Sequence, residues 1–262
     1  MRAHFWLSVF GRRGMIVIKT KEEIAKMKRA GELLASCHRA LAGMIRPGIT
    51  TLEIDKFAEQ FIIAAGGTME QKGYHGYPFA TCASLNDVIC HGFPSERALK
   101  DGDIVCIDMV VRLDDWLADS AWSYAVGNVS EEAGKLLDVT KKSLYLGIEQ
   151  AVIGNRIGDI SHAIQKYAES EGFSVVRDFV GHAIGQQMHE EPQVPHYGPP
   201  GRGVRLKEGM VITIEPMINT GTYHSKLDSD GWTARTVDGG LSAQYEHTIA
   251  ITAEGPLILT QQ

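Results

Sequence analysis

One short passage of this chain is written twice, and the repetition limits what it can fold into. Leu99-Lys-Asp-Gly-Asp-Ile-Val-Cys-Ile-Asp108 aligns without a gap on Leu206-Lys-Glu-Gly-Met-Val-Ile-Thr-Ile-Glu215, a displacement of 107. Ile54, Phe61 and Gly66 match Ile160, Tyr167 and Gly172 at a displacement of 106. A single match of a turn running into an apolar strand arises by chance. Two at nearly the same displacement point to duplication. The expected fold is therefore α+β, built of two related halves spanning about residues 20–127 and 130–253, with Glu215 in the place of Asp108.

Helix signals open each half. Thr20 and Glu23 form a capping box ahead of Ile24, Met27, Leu33, Leu34, Cys37 and Leu41, spaced for one helix that Pro47-Gly48 ends. Thr50 and Glu53 repeat the box for a second helix through Phe61, closed by Gly66-Gly67. The second half predicts helices from about Glu131 to Val152 and from Asp159 to Glu171. Residues 1–14 carry Phe5, Trp6, Leu7, Val9 and Phe10 ahead of Arg12-Arg13, the wrong order for a secretory signal. They read as an extension that adds nothing to the fold, with residues 15–262 forming a single domain.

The strands after the helices hold acids where packing favours apolar residues. Ile104–Val111 reads as a buried strand and Trp116–Val126 as its antiparallel return. A turn at Leu113-Asp114 would set Asp108 and Asp119 directly opposite each other, a repulsive pairing that needs a shared proton or a cation between the two groups. Glu215 and Glu246 interrupt two further apolar runs, and four such acids, two per half, are poorly explained as edge residues facing water.

The nitrogen candidates are His182, flanked by Gly181 and Gly185, His189 in Met188-His-Glu-Glu-Pro192, and His91 beside Cys90. His75, His196, His224 and His247 read as ordinary core or surface residues. Four carboxylates and one imidazole suffice for two divalent ions, and oxygen-rich coordination with one His favours Mn, Fe or Co type ions over a closed zinc site. Such a pair activates water and polarises a carbonyl, which makes the chain hydrolase-like. Composition narrows the alternatives. A net charge of -6 with dispersed Lys and Arg gives no reason to propose nucleic acid as a partner. No apolar run reaches the roughly 18 residues of a membrane span. The four cysteines, without a C-x-x-C pair, read as reduced thiols of a cytoplasmic protein.

Val105-Cys-Ile-Asp108 with Asp119, Gly181-His182-Ala-Ile-Gly, His189-Glu-Glu-Pro, Thr213-Ile-Glu215-Pro-Met and Gln244-Tyr-Glu246-His-Thr together resemble the type I methionine aminopeptidases, from about Ile16 to the C-terminus. The resemblance implies the pita-bread fold, two α/β halves related by a pseudo-twofold around a central antiparallel sheet. It implies that Asp108, Asp119, His182, Glu215 and Glu246 ligate two divalent ions (Co, Mn, Fe, Zn or Ni), Asp119 and Glu246 bridging. A bridging hydroxide would attack the first peptide carbonyl, Glu215 would shuttle the proton, His189 would stabilise the oxyanion, and His91 with His189 would flank the substrate. Tyr74, Tyr77, Cys82, Trp232 and Met188 would line the methionine pocket, and Asn86, Val88 and Ser242 would hold a monovalent cation.

The activity so implied is removal of the initiator methionine from nascent polypeptides when the next residue is small, by a monomer working near the ribosome exit. Met188 stands where relatives often have Phe, and Val110 where a small hydroxyl residue is common; neither change removes a ligand. Aminopeptidase P and prolidase share the carboxylate set, but normally carry a large N-terminal domain for which this chain has no room. A non-catalytic binding module would have lost the ligands. A structural Ca²⁺ site would not include His182.

Overall fold

The computed structural model describes residues 15–262, so the extension expected at residues 1–14 lies outside the described residues. The first half comprises α1 (Lys21–Ala42), α2 (Thr51–Ala64), β1 (Thr68–Met69), β2 (Cys82–Leu85), β3 (Val88–Cys90), β4 (Ile104–Leu113) and β5 (Trp116–Ala125). The second half also opens with two helices, α3 (Glu131–Glu149) and α4 (Ile157–Ser170). It continues through β6 (Ser174–Val175), β7 (Gly181–Ala183), β8 (Glu190–Val194), β9 (Val211–Ile214), β10 (Met217–Asn219) and β11 (Ser225–Leu227). The last strands are β12 (Ala234–Thr236), β13 (Ser242–Gln244), β14 (His247–Thr252) and β15 (Gly255–Ile258).

Both predicted capping boxes form. The Thr20 hydroxyl accepts from Glu23 N–H at 3.2 Å, and the Glu23 carboxylate accepts from Thr20 N–H at 2.7 Å; Thr50 and Glu53 repeat the exchange at the start of α2. Each cap contributes about 1 kcal/mol. Helix α3 stops at Glu149, short of the expected Val152, because the Asn155 side chain caps Gln150 O at 3.0 Å. Helix α4 begins at Ile157, two residues early, since the Asp159 carboxylate reaches back to accept from Arg156 N–H at 2.7 Å.

In the first half β4 is central, pairing with β1, β2 and β5. In the second half a five-stranded antiparallel sheet runs in the order β15-β14-β9-β7-β8. Helices α1 and α2 cover one core, with Leu34, Leu41, Ile54 and Ile62 fully buried, and α3 and α4 cover the other. Full burial of each such side chain is worth roughly 1.5–3 kcal/mol. A third cluster, including Met27, Val110, Leu117, Ile184, Val211 and Ala250, closes the seam between the halves.

Along that seam β5 meets β14. Asp119 N–H donates to Thr248 Oγ1 at 3.0 Å, Ser120 Oγ to Glu246 O at 3.0 Å, and Glu246 N–H to Ala121 O at 2.8 Å. The sheet that carries Asp119 is thus fastened to the sheet that carries Glu246.

The hairpin register differs from the sequence expectation. Leu113 pairs with Trp116, so Asp108 lies opposite Ala121 and Asp119 opposite Val110. The turn is Asp114-Asp115, both left-handed with φ of 48° and 66°. A two-residue hairpin turn of that hand matches strand twist, and Asp tolerates the conformation better than most residues. The slip of two residues keeps both aspartates on one face, as diagonal neighbours instead of a direct pair.

Candidate metal centre

Strands β4, β5 and β7, the end of β9 and the start of β14 converge at the seam. Asp119 rises from the middle of β5; Glu215 immediately follows β9 and Glu246 immediately precedes β14. His182 lies in the middle of β7, whose close packing on β9 depends on Gly181, where a Cβ would lie 2.6 Å from Thr213 O. His182 N–H donates to Thr213 Oγ1 at 3.0 Å, and the same hydroxyl donates to Glu215 Oε1 at 2.7 Å. The His182 Nδ1 proton is held by Ala183 O at 3.1 Å, which turns the Nε2 lone pair inward. Nε2 lies 3.7 Å from both Asp119 Oδ2 and Glu215 Oε1.

Asp119, His182 and Glu246 offer ligand atoms all within 4.8 Å of one another. Asp108 and Glu215 line the same cavity. Asp119 Oδ1 and Glu246 Oε1 are buried with no hydrogen-bond partner among the described residues. Buried carboxylate oxygens are rarely left so, and cations would satisfy both. Burial pushes Asp108 up to about 7 and Glu215 up to about 8. Asp119 and Glu246 are raised well above the carboxylate range, first by burial and then by neighbouring carboxylates. Burial also lowers His182 to about 4, so its imidazole is neutral and able to ligate. The donor set, oxygen-rich with one neutral imidazole, fits divalent metal ions.

The expected substrate residues line the same cavity of about 810 Å³: Tyr74, Tyr77, Cys82, His91, Met188, His189 and Trp232. Tyr74 OH bonds His189 Nδ1 at 2.8 Å, and the His189 ring lies edge-on to His182 at 4.4 Å. Burial and the neighbouring histidines lower His189 to about 2, and burial lowers His91 to about 4. Tyr77 is fixed by donation to Thr81 O and Gly92 O and meets Trp232 edge-on at 5.1 Å. Cys82 is a buried free thiol with its pKa raised by burial, so it stays protonated.

Asn86, Val88 and Ser242 stand outside the residues that line this cavity. Ser242 N–H donates to Asn86 O at 2.8 Å, and the buried Ser242 hydroxyl has no hydrogen-bond partner among the described residues. Sequence reasoning missed other parts. His196, read as ordinary core, accepts from Glu215 N–H at 3.0 Å and fixes the backbone of that acid. Gln71 bridges Asp108 O and Val110 N–H, holding β4 where Asp108 projects. Gln244 reaches Glu215 Oε2 at 3.4 Å. Gln244 alone had a signal, lying in the motif that contains Glu246; the other two are set by contacts distant in sequence.

Residues 25–253 match the model of metallopeptidase family M24. The chain is 51% identical over 247 residues to methionine aminopeptidase 1 of Bacillus subtilis (strain 168), covering 94% of this chain and 100% of the relative. It is 52% identical over 246 residues to the methionine aminopeptidase of Clostridium perfringens, covering 94% and 99%. Among solved structures, that of a methionine aminopeptidase from Rickettsia prowazekii superposes with a TM-score of 0.93 at 43% identity, over 94% of this chain and 100% of that one. A prolidase from Pyrococcus horikoshii OT3, at 22% identity and a TM-score of 0.74 over 95% of this chain and 64% of that one, shares the pita-bread fold alone.

Proposed function

Because the chain belongs to metallopeptidase family M24, we propose that it removes the N-terminal methionine of newly made polypeptides whose next residue is small. One observation carries this reading: Asp119, His182 and Glu246, from both halves, close on buried carboxylate oxygens that no group among the described residues satisfies, inside a cavity walled by His189, Tyr74, Tyr77 and Trp232. Relatives about half identical over nearly the whole chain and named methionine aminopeptidase support it.

Asp108, Asp119, His182, Glu215 and Glu246 would hold two divalent ions. Bound there, Co, Mn, Fe, Zn or Ni would supply Lewis acidity, lowering the pKa of water and polarising the scissile carbonyl.

The chain's own groups do the rest. Glu215, fixed by Thr213, Gln244 and His196, moves a proton from the attacking water to the departing amine. Neutral His189, with Nδ1 engaged by the Tyr74 hydroxyl, donates from Nε2 to the oxyanion. His91 flanks the substrate from the wall shared with Trp232 and Phe179. Tyr74, Tyr77, Cys82, Trp232 and Met188 surround the methionine side chain, where thioether–aromatic contacts add roughly 0.3–1.5 kcal/mol each.

Asn86, Val88 and Ser242 would hold a monovalent cation, for which the unpartnered Ser242 hydroxyl is the supporting feature. Among the described residues no helix is long and apolar enough to cross a membrane. The reading places the protein in the cytoplasm as a monomer acting near the ribosome exit. The test is to incubate metal-loaded protein with Met-Ala-Ser, Met-Pro-Ala and Leu-Ala-Ser. Methionine should be released from the first two and no leucine from the third; leucine released at an equal rate would refute the specificity.

A further inference from the structure

The mouth of the cavity holds a cation that none of these steps uses. Arg177 lies two residues beyond the end of β6 and is exposed, yet it lines the cavity together with Tyr197, Lys226 and Leu227. Its guanidinium lies 3.9 Å from the centre of the Tyr223 ring and 5.5 Å from that of Tyr197. Stacking occupies the face of a guanidinium and leaves the N–H groups on its edge free to donate. Among the described residues no carboxylate forms an ion pair with Arg177 or Lys226. The adjacent Asp178 accepts from Ser225 Oγ at 2.6 Å, and Arg235, the next cation along this edge, is consumed by Asp87 and Asp228. So the mouth presents two uncommitted cations, one of them pre-oriented by rings, against a single carboxylate.

A substrate that enters amine first must leave the cavity past this mouth. We propose that Arg177, with Lys226 beside it, forms a subsite for the downstream part of the polypeptide, from the third residue onward, and favours carboxylate side chains there. The inference rests on the reading of the site as an aminopeptidase. A flat guanidinium matches a carboxylate in two-point geometry, and because the site is open to solvent the preference will be modest and will shrink as salt is added.

The test compares Met-Ala-Asp-Asp-Ala amide with Met-Ala-Lys-Lys-Ala amide at low ionic strength, using the metal-loaded full chain and its Arg177→Ala and Arg177→Glu variants. For the unaltered protein kcat/KM should favour the acidic peptide by roughly two- to fivefold, the upper part of the range of an exposed ion pair, with the difference residing in KM. The ratio should fall toward one in Arg177→Ala and below one in Arg177→Glu. Taking the ratio within each variant cancels any common loss of metal or fold. A ratio near one in the unaltered protein, or one that Arg177→Glu leaves unchanged, overturns the inference while leaving the aminopeptidase reading intact. Failure to release methionine from either peptide overturns that reading and the inference with it.

Discussion

At Asp119 the chain places an ionisable oxygen that no group among the described residues bonds, with His182 Nε2 3.7 Å from its other oxygen. Without metal, such a cluster is tolerable only by keeping protons, and this fixes the sign of its pH dependence. Asp108 and Glu215 hold protons in the folded state up to about 7 and 8, whereas an unfolded chain releases them near 4. Their contribution to stability is therefore full at low pH and lost as pH rises through 7–8. The buried histidines act oppositely. His91 and His182 are lowered to about 4 and His189 to about 2, so their contribution is present above 6.5 and lost as pH falls. The metal-free protein should be most stable near pH 6.5. Its melting temperature should drop between pH 6.5 and 8.5, where only the carboxylates titrate, and bound metal should remove that drop. A melting temperature that rises over this interval in the presence of chelator would refute the protonated cluster. The acids and His182 were legible in sequence because each breaks an apolar or glycine-rich pattern. Gln71 and His196 break no pattern, and their roles exist only through contacts made across the fold.

Among the elements, helices were the most legible, because caps and apolar spacing are local. The ends of α3 and α4 moved by two or three residues where Asn155 and Asp159 supplied hydrogen bonds that no spacing rule anticipates. The β4–β5 hairpin shows a subtler limit. Its strands and the shared face of Asp108 and Asp119 followed from alternation, but the register depended on a turn without Gly or Asn. Asp114-Asp115 takes the left-handed geometry instead. A left-handed non-glycine residue stores roughly 1–2 kcal/mol. Asp115→Gly should therefore raise the unfolding free energy by up to about 1 kcal/mol, part of the relief being offset by glycine's greater freedom in the unfolded chain. Asp115→Val should lower it. Urea unfolding of both variants checks the turn, and equal stabilities would show that it carries no strain.

For the molecule as a whole, the duplication read from Leu99–Asp108 and Leu206–Glu215 became two helix-then-strand halves, each with its own core. The strands β6 to β8 and β10 to β13 were less legible, being short and lying in text rich in Gly, Pro and polar residues. The halves are fastened along β5 and β14, and that seam carries Asp119 and Glu246 to the same place. Metal-dependent removal of methionine by this shared site is the central claim. The most direct measurement strips the protein with chelator, adds Co²⁺ or Mn²⁺ in measured equivalents, and follows methionine release from Met-Ala-Ser alongside Asp119→Ala. Activity should be absent at the start, return with added metal, stop climbing by about two equivalents, and stay absent in Asp119→Ala. Full-rate release by the stripped protein, or by Asp119→Ala, would contradict the account.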